Sequence, residues 1–217
     1  SVLEPVPSTV PLVVKDPCCH FLQGQKIRAR VTGRVSGENI RTVSGELLFT
    51  QYGLSGTAIL DVSDEISVAF NRGHNPNVSV IADLVPFMDE AALTEELFRR
   101  FEKGIAQENL LEGLLTHKFF LAFRAAIQKL DASSIAHLLK HKEFKVLGTR
   151  GWNEAEFTAG GISGAEVDPV TLESKLRRGL YFAGEILDVQ GRRGGYNLAW
   201  AWASGAAAAR HAVARES

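Results

Sequence analysis

The stretch Leu180-Tyr181-Phe182-Ala183-Gly184-Glu185-Ile186-Leu187-Asp188-Val189-Gln190-Gly191-Arg192-Arg193-Gly194-Gly195-Tyr196-Asn197-Leu198 reads as strand, acid, glycine loop and helix start. Leu180–Ala183 is a short apolar run of the kind that forms a buried parallel strand. It ends at Gly184-Glu185, and an alanine-rich helix is predicted from about Tyr196 to Ala214. Open α/β sheets bind ligands beyond the carboxyl ends of their strands, where a helix begins. Glu185 would point its carboxylate into such a crevice, and Gly194 and Gly195 remove the Cβ atoms that would hold a flat ring or a phosphate off the backbone. The helix start adds unpaired N–H groups and roughly +0.5 of an elementary charge. Each element also has a plainer reading. A Gly-Gly pair can be an ordinary loop, a carboxylate after a strand can cap a helix or pair with an arginine, and Trp200 and Trp202 can simply pack.

Outward from this unit the chain changes period several times. Residues 1–14 carry Pro5, Pro7 and Pro11 among valines and leucines, which favours extended backbone. Lys26–Val35 alternates apolar and polar residues as a half-buried strand does, and Gly45–Thr50, Ile66–Phe70 and Val78–Leu84 are read as further strands. Short strands joined by turns suggest a small antiparallel sheet or barrel. Leu93, Leu97 and Phe101 then recur every four residues, which predicts a helix over Asp89–Gly104. Helical stretches follow over about Asn109–Leu130 and Ser133–His141, the last with Ser133 or Ser134 as cap. Extended structure is expected again at Phe144–Leu147, Glu154–Thr158 and Ala165–Val167. The fold class is therefore α+β and multi-domain. A β-rich, barrel-like part (1–86 and 144–168) carries a helical subdomain (87–143), and a strand–helix piece (169–217) follows.

Composition narrows the function classes. At 217 residues with 45% hydrophobic and 23% charged residues, the chain can bury a sizeable core. A formal net charge of -1 gives no broad cationic surface, so neither nucleic acid nor an anionic membrane is an expected partner. The only cysteines, Cys18 and Cys19, are adjacent. They suggest no disulfide framework and, even beside His20, no metal site, but rather reduced thiols in a cytoplasmic protein. The N-terminus lacks Met, a basic start and an apolar core, so it reads as a cut from a longer chain rather than a signal peptide.

Three blocks together carry a resemblance. They are Leu48-Phe49-Thr50-Gln51-Tyr52-Gly53-Leu54-Ser55-Gly56, Ala155-Glu156-Phe157-Thr158-Ala159-Gly160-Gly161-Ile162-Ser163 with Glu166-Val167-Asp168-Pro169, and the terminal run from Leu180. In this order they resemble the bacterial FAD-dependent oxidoreductases related to aminoacetone oxidase, the BaiN-like flavoproteins. The resemblance implies a Rossmann-type FAD domain interrupted by a β-rich insert, with residues 169–217 returning to finish the FAD domain. It implies that Gly184, Glu185, Asp188, Gly194, Gly195, Tyr196 and Asn197 contact the flavin, with Gly160 and Gly161 near the domain junction. The cofactor would be FAD, with NAD(P)H or dioxygen as the open choice of second substrate. The partners would be a small-molecule substrate and the N-terminal FAD-binding region of the same protein.

One departure matters. The family's G-x-G-x-x-G fingerprint, which holds the pyrophosphate on backbone N–H groups, occurs nowhere in the 217 residues. Arg192 and Arg193 can be read as phosphate contacts or as solvated loop residues. No catalytic side chain is identified. Tyr52 and Ser55 could line a substrate pocket, or they could belong to a tight Gly53/Gly56 turn with Ser55 capping a short helix. The competing class is a non-catalytic interaction module that keeps the terminal motif as a vestige.

Overall fold

The structure is a computed structural model that describes residues 1–214. In chain order its elements are β1 (Val2–Ser8), β2 (Leu12–Val14), α1 (Pro17–Phe21), β3 (Lys26–Val35), β4 (Glu38–Thr50), β5 (Gly53–Ser55) and α2 (Thr57–Ser67). They continue as β6 (Val78–Asp83), α3 (Glu90–Glu102), α4 (His117–Ile127), α5 (Ala132–Lys140), β7 (Lys142–Thr149), β8 (Phe157–Ile162) and α6 (Tyr196–Ala214). The class is α+β. Two compact units result: residues 10–150, and residues 1–9 together with 151 onward. These units divide the chain by packing, whereas the sequence boundaries at 86/87, 143/144 and 168/169 follow element type.

In the first unit six strands close into a barrel in the order β2-β5-β4-β3-β6-β7, with antiparallel neighbours throughout. Period-2 alternation turns Ala29, Val31, Leu47, Phe49, Val80, Ala82 and Phe144 inward, where none is exposed. The long β3–β4 hairpin turns at Ser36-Gly37, whose φ values of 53° and 86° suit a two-residue turn that follows the strand twist. Ala29 and Gly45 oppose each other across the ladder. These small residues admit α2 to the inner side of the hairpin: a Cβ on Gly45 would sit 2.8 Å from Thr57 Oγ1 and 3.1 Å from the Ala58 amide. The helices share this core. Phe119 of α4 meets Phe49 edge-on at 5.8 Å between centroids, and Phe49 meets Phe144 at 6.2 Å.

Several elements differ from the sequence reading. Ile66–Phe70 is not a strand. It completes α2 and the π-helical turn Val68–Arg72, because Ala58, Ile59, Val62 and Ile66 form one buried helical stripe that outweighs a brief alternation. Strand β4 begins at Glu38, seven residues earlier than its apolar part suggests, since pairing with β3 holds the polar arm. Helix α4 starts only at His117, after Gly113 turns at φ 76°. Asp131, not Ser133 or Ser134, caps α5 by accepting the Ser134 amide at 2.8 Å. Gly56, not Ser55, stands at the cap of α2 and makes no side-chain bond there. Ala165–Val167, expected extended, lies in and just after the 3-10 turn Gly164–Glu166.

Asp16 links α1 to β7. Its Oδ1 accepts the Cys18 amide at 2.9 Å, and its Oδ2 receives Lys142 Nζ at 2.7 Å. Partial burial alone would raise the Asp16 pKa, but the hydrogen bonds from Lys142 and Cys18 outweigh it and hold the carboxyl below its ordinary value. Cys18 and Cys19 are buried, and the Cys18 thiol is pushed far up by its hydrogen bond to Cys19, by burial and by Asp16. It stays protonated and behaves as core, while His20 faces solvent.

A pH prediction follows from Asp16. A carboxyl whose folded pKa lies below its unfolded one stabilises the fold above the unfolded value, about 3.9, and loses that contribution as pH falls through the folded value. Asp16→Asn should therefore lower the urea midpoint at pH 7 and flatten its decline below about pH 4. Parallel wild-type and variant midpoints across that range would show Asp16 to be inert.

Candidate functional site

The second compact unit is built around β8. Strand β1 pairs with it antiparallel on one side. Its other edge would leave backbone amides unpaired, and two carboxylates take them. Glu185 Oε1 accepts the Thr158 N–H at 2.7 Å, and Asp188 Oδ1 accepts the Gly160 N–H at 2.8 Å. The Asp188 amide in turn donates to Ile162 O at 2.9 Å. Charge-assisted bonds of this kind are roughly twice as strong as neutral ones. They lay the 184–188 turn so close to the strand that a Cβ on Gly161, at φ 114°, would stand 2.4 Å from Ile186 O.

The same turn is held from behind by α6. The buried Gly184 donates its amide to Ser204 Oγ at 2.9 Å, and Gly184 O accepts from Trp200 Nε1 at 3.3 Å. Its φ of 75° lies in the region that favours glycine. Asn197 closes the following loop: its Oδ1 accepts the Gly191 amide at 2.7 Å and its Nδ2 donates to Gly191 O at 3.0 Å. Gly194 and Gly195, at φ 113° and 91°, bring the chain into α6. No atom would meet a Cβ on Gly195 within 4 Å, so the helix opening faces open space. Gly195 O accepts the Ala199 amide, and among the described residues no acceptor meets the Tyr196, Asn197 or Leu198 N–H groups.

These residues surround a recess of about 170 Å³ whose wall includes Phe157, Thr158, Glu185, Gln190, Asn197 and Trp200. Glu185 and Asn197 thus share one concavity. Gly184 and Asp188 fix the turn that carries Glu185, whereas Gly194, Gly195 and Tyr196 are exposed and do not line the recess. Two expectations need correction. Leu180–Ala183 is not a buried strand: only Tyr181 bridges, to Glu173, and Leu180 is exposed, because the described chain offers no neighbouring strand. Arg193 is not a freely solvated loop arginine: its side chain is only 26% exposed. It makes a two-pronged ion pair with Glu156, at 2.9 and 3.2 Å. Trp200 packs in the small core with Val167, Leu172 and Leu187, whereas Trp202 is 77% exposed. Sequence reasoning missed Glu156, Gln190 and Ser204; of these, Glu156 and Gln190 stand inside the quoted motif blocks.

Tyr52 and Ser55 belong to the barrel unit. Arg150 stacks its guanidinium 4.4 Å from the Tyr52 ring centre, and Ser55 ends β5. Gly53, at φ 142°, lies so near β2 that a Cβ would meet the Val14 amide at 2.4 Å, so the Phe49–Gly56 block packs the barrel closed.

Residues 25–211 match the HI0933-like protein Rossmann domain. The chain belongs to the HI0933-like family. A 3-dehydro-bile acid delta(4,6)-reductase of Clostridium scindens is 32% identical over 97% of this chain and 54% of its own length. Ribosomal RNA dihydrouridine synthases of Haemophilus influenzae and Escherichia coli are each 30% identical, over 96% and 100% of this chain and 52% and 54% of theirs. The chain spans about half the length of these curated relatives. Among the described residues, no helix is long and apolar enough to cross a membrane.

In this HI0933-like chain, Gly161→Ala should lower unfolding free energy by about 2 kcal/mol or more, since it combines a left-handed φ with a backbone overlap. Gly164→Ala, where nothing lies within 4 Å, should change it by less than about 0.5 kcal/mol. Urea titration of both variants checks the pair, and equal stabilities would refute the close approach.

Proposed function

We propose that this chain supplies the insert and the flavin-facing terminal segment of an FAD-dependent oxidoreductase of the BaiN-like type. The observation that carries the reading is α6. It is 19 residues long and apolar on nearly every face, yet only Ser204 and Ala208 are buried. Leu198, Trp202 and Val213 are 63%, 77% and 66% exposed. A helix apolar all round belongs in the interior of a larger assembly. We assign its cover to the N-terminal FAD-binding region of the same protein, which would also bring the absent G-x-G-x-x-G loop and the neighbour that Leu180–Ala183 lacks. In this reading residues 169–217 complete the FAD domain, and 1–86 with 144–168, carrying helical 87–143, form the substrate-side insert.

The donor set fits a flavin. The open Tyr196, Asn197 and Leu198 amides and the positive end of α6 suit an electron-rich ring edge. Glu185, with Oε1 held by Thr158, keeps Oε2 to accept from ligand hydroxyls. Gly194 and Gly195 allow a flat group to approach the backbone. FAD, when bound, supplies the hydride chemistry; the protein positions and shields it. The relatives' names, a delta(4,6)-reductase and dihydrouridine synthases, share two-electron reduction of a carbon–carbon double bond. We take this as the reaction type, with NAD(P)H as the donor of electrons and a small molecule as substrate. The alternative, an interaction module with a vestigial motif, leaves the open helix start without a purpose.

The complete polypeptide should purify with the visible bands of oxidised flavin, and Glu185→Ala should reduce its flavin content while Glu185→Gln keeps the fold. The 217-residue chain alone should show no saturable FAD binding tighter than about 10 μM, for want of the pyrophosphate cradle. A colourless complete protein that takes up no FAD would favour the module. Trp202→Glu gives an independent check. In the 217-residue chain it should shift stability by less than about 0.5 kcal/mol, but in the complete protein it should lower both Tm and flavin content. Equal tolerance in both would mean that α6 is not covered.

A further inference from the structure

Glu90, His137 and His141 are drawn together although the first lies 47 residues before the second. His137 and His141 are one helical turn apart at the end of α5 and therefore share a face. Glu90 opens α3. His137 Nδ1 is 2.9 Å from Glu90 Oε1, and His141 Nε2 is 2.8 Å from Oε2. The rings stack at 4.6 Å between centroids, 35° from parallel. One nitrogen from each imidazole and one carboxylate oxygen lie within 4.8 Å of one another.

The frame under this cluster is rigid. Lys140, one residue before His141, sends Nζ to Asp83 Oδ2 at 2.7 Å, to Val85 O at 3.0 Å and to Met88 O. Both side chains of the Lys140–Asp83 pair are only 10% exposed. Asp83 also accepts the Val85 amide, and Asp89 caps α3 through the Ala92 amide. The segment leading into Glu90 is thus clamped to α5 by buried charge, and Glu90 is set against the two histidines before any ligand arrives. Glu90 and His141 also line a recess of about 400 Å³ together with Arg30 and Lys140, so the cluster is open to solvent.

We propose that Glu90, His137 and His141 form a binding site for a divalent transition-metal ion of the Zn²⁺ class. Two imidazoles and a carboxylate are a donor set suited to Zn²⁺, Co²⁺ or Ni²⁺, and three protein ligands leave a position for water. With bonds of about 2.0–2.1 Å, tetrahedral ligands stand roughly 3.3 Å apart. The two hydrogen-bonded N···O pairs would open by about 0.5 Å, and the wider ligand pairs, which lie within 4.8 Å, would draw in by up to about 1.5 Å, both by side-chain rotation. To bind the ion each imidazole would present an unprotonated nitrogen to it and carry its N–H on the opposite ring nitrogen. The ion would then tie the start of α3 to the end of α5.

The test uses tag-free, chelator-treated protein titrated with ZnCl₂ by calorimetry and with CoCl₂ by visible absorption. One Zn²⁺ per chain and Co²⁺ bands of low coordination number are expected. His137→Ala and His141→Ala should each weaken binding roughly 10–100-fold, and Glu90→Gln should weaken it as well. His74→Ala, outside the cluster, should not. Zn²⁺ should raise Tm of the wild type and not of His141→Ala, whose metal-free Tm reports that it still folds. No saturable binding at about 100 μM Zn²⁺, or binding undiminished in both histidine variants, would overturn the proposal.

Discussion

A strand with one unpaired edge sets the terms for the candidate site. The amides of Thr158 and Gly160 need acceptors, and the chain meets them with Glu185 and Asp188 rather than with another strand. That choice brings a turn, with its acids, against the sheet edge. Ser204 and Trp200 bind the same turn from the helix side. The recess, the direction of α6 and the open loop before it all descend from this double attachment. Glu185 is at once a fixing and a wall of the recess, so its two oxygens face different demands.

The barrel unit rests on a different economy of space. Glycine stands where backbone meets backbone: Gly53 against β2, Gly56 against Glu46 O, Gly45 against α2. The Phe49–Phe119–Phe144 contacts then bind strands and helices into one core, so the helical residues 87–143 are not an appendage. Buried charge appears sparingly, as Lys140–Asp83, and there it fixes a loop that apolar packing would leave free.

Much of this was legible from residues alone, and the failures have physical causes. Lys26–Val35 and Tyr196–Ala214 appear at their expected bounds, since one has strict alternation and the other a long run of helix formers. Ile66–Phe70 misled because a five-residue window cannot distinguish two periods. The polar first half of β4 carried no hydrophobic signal and is held by its partner. Leu180–Ala183 has the composition of a buried strand without a sheet to join. At the site, Glu185 and Asn197 came from motif and sequence order, but Arg193's pairing with Glu156 depends on contact across 37 residues. Glu90 and the two histidines were invisible for the same reason: only α3 lying beside α5 makes them neighbours.

The filling of the barrel has one more consequence. With Ala29 and Gly45 giving their room to α2, and with Val31, Leu47 and Phe49 fully enclosed, the cylinder has no lumen. It cannot serve as a conduit or a container for a small molecule. The unit's open concavity is on its outer skin instead, where Arg28, Arg30 and Phe87 line a depression of about 610 Å³.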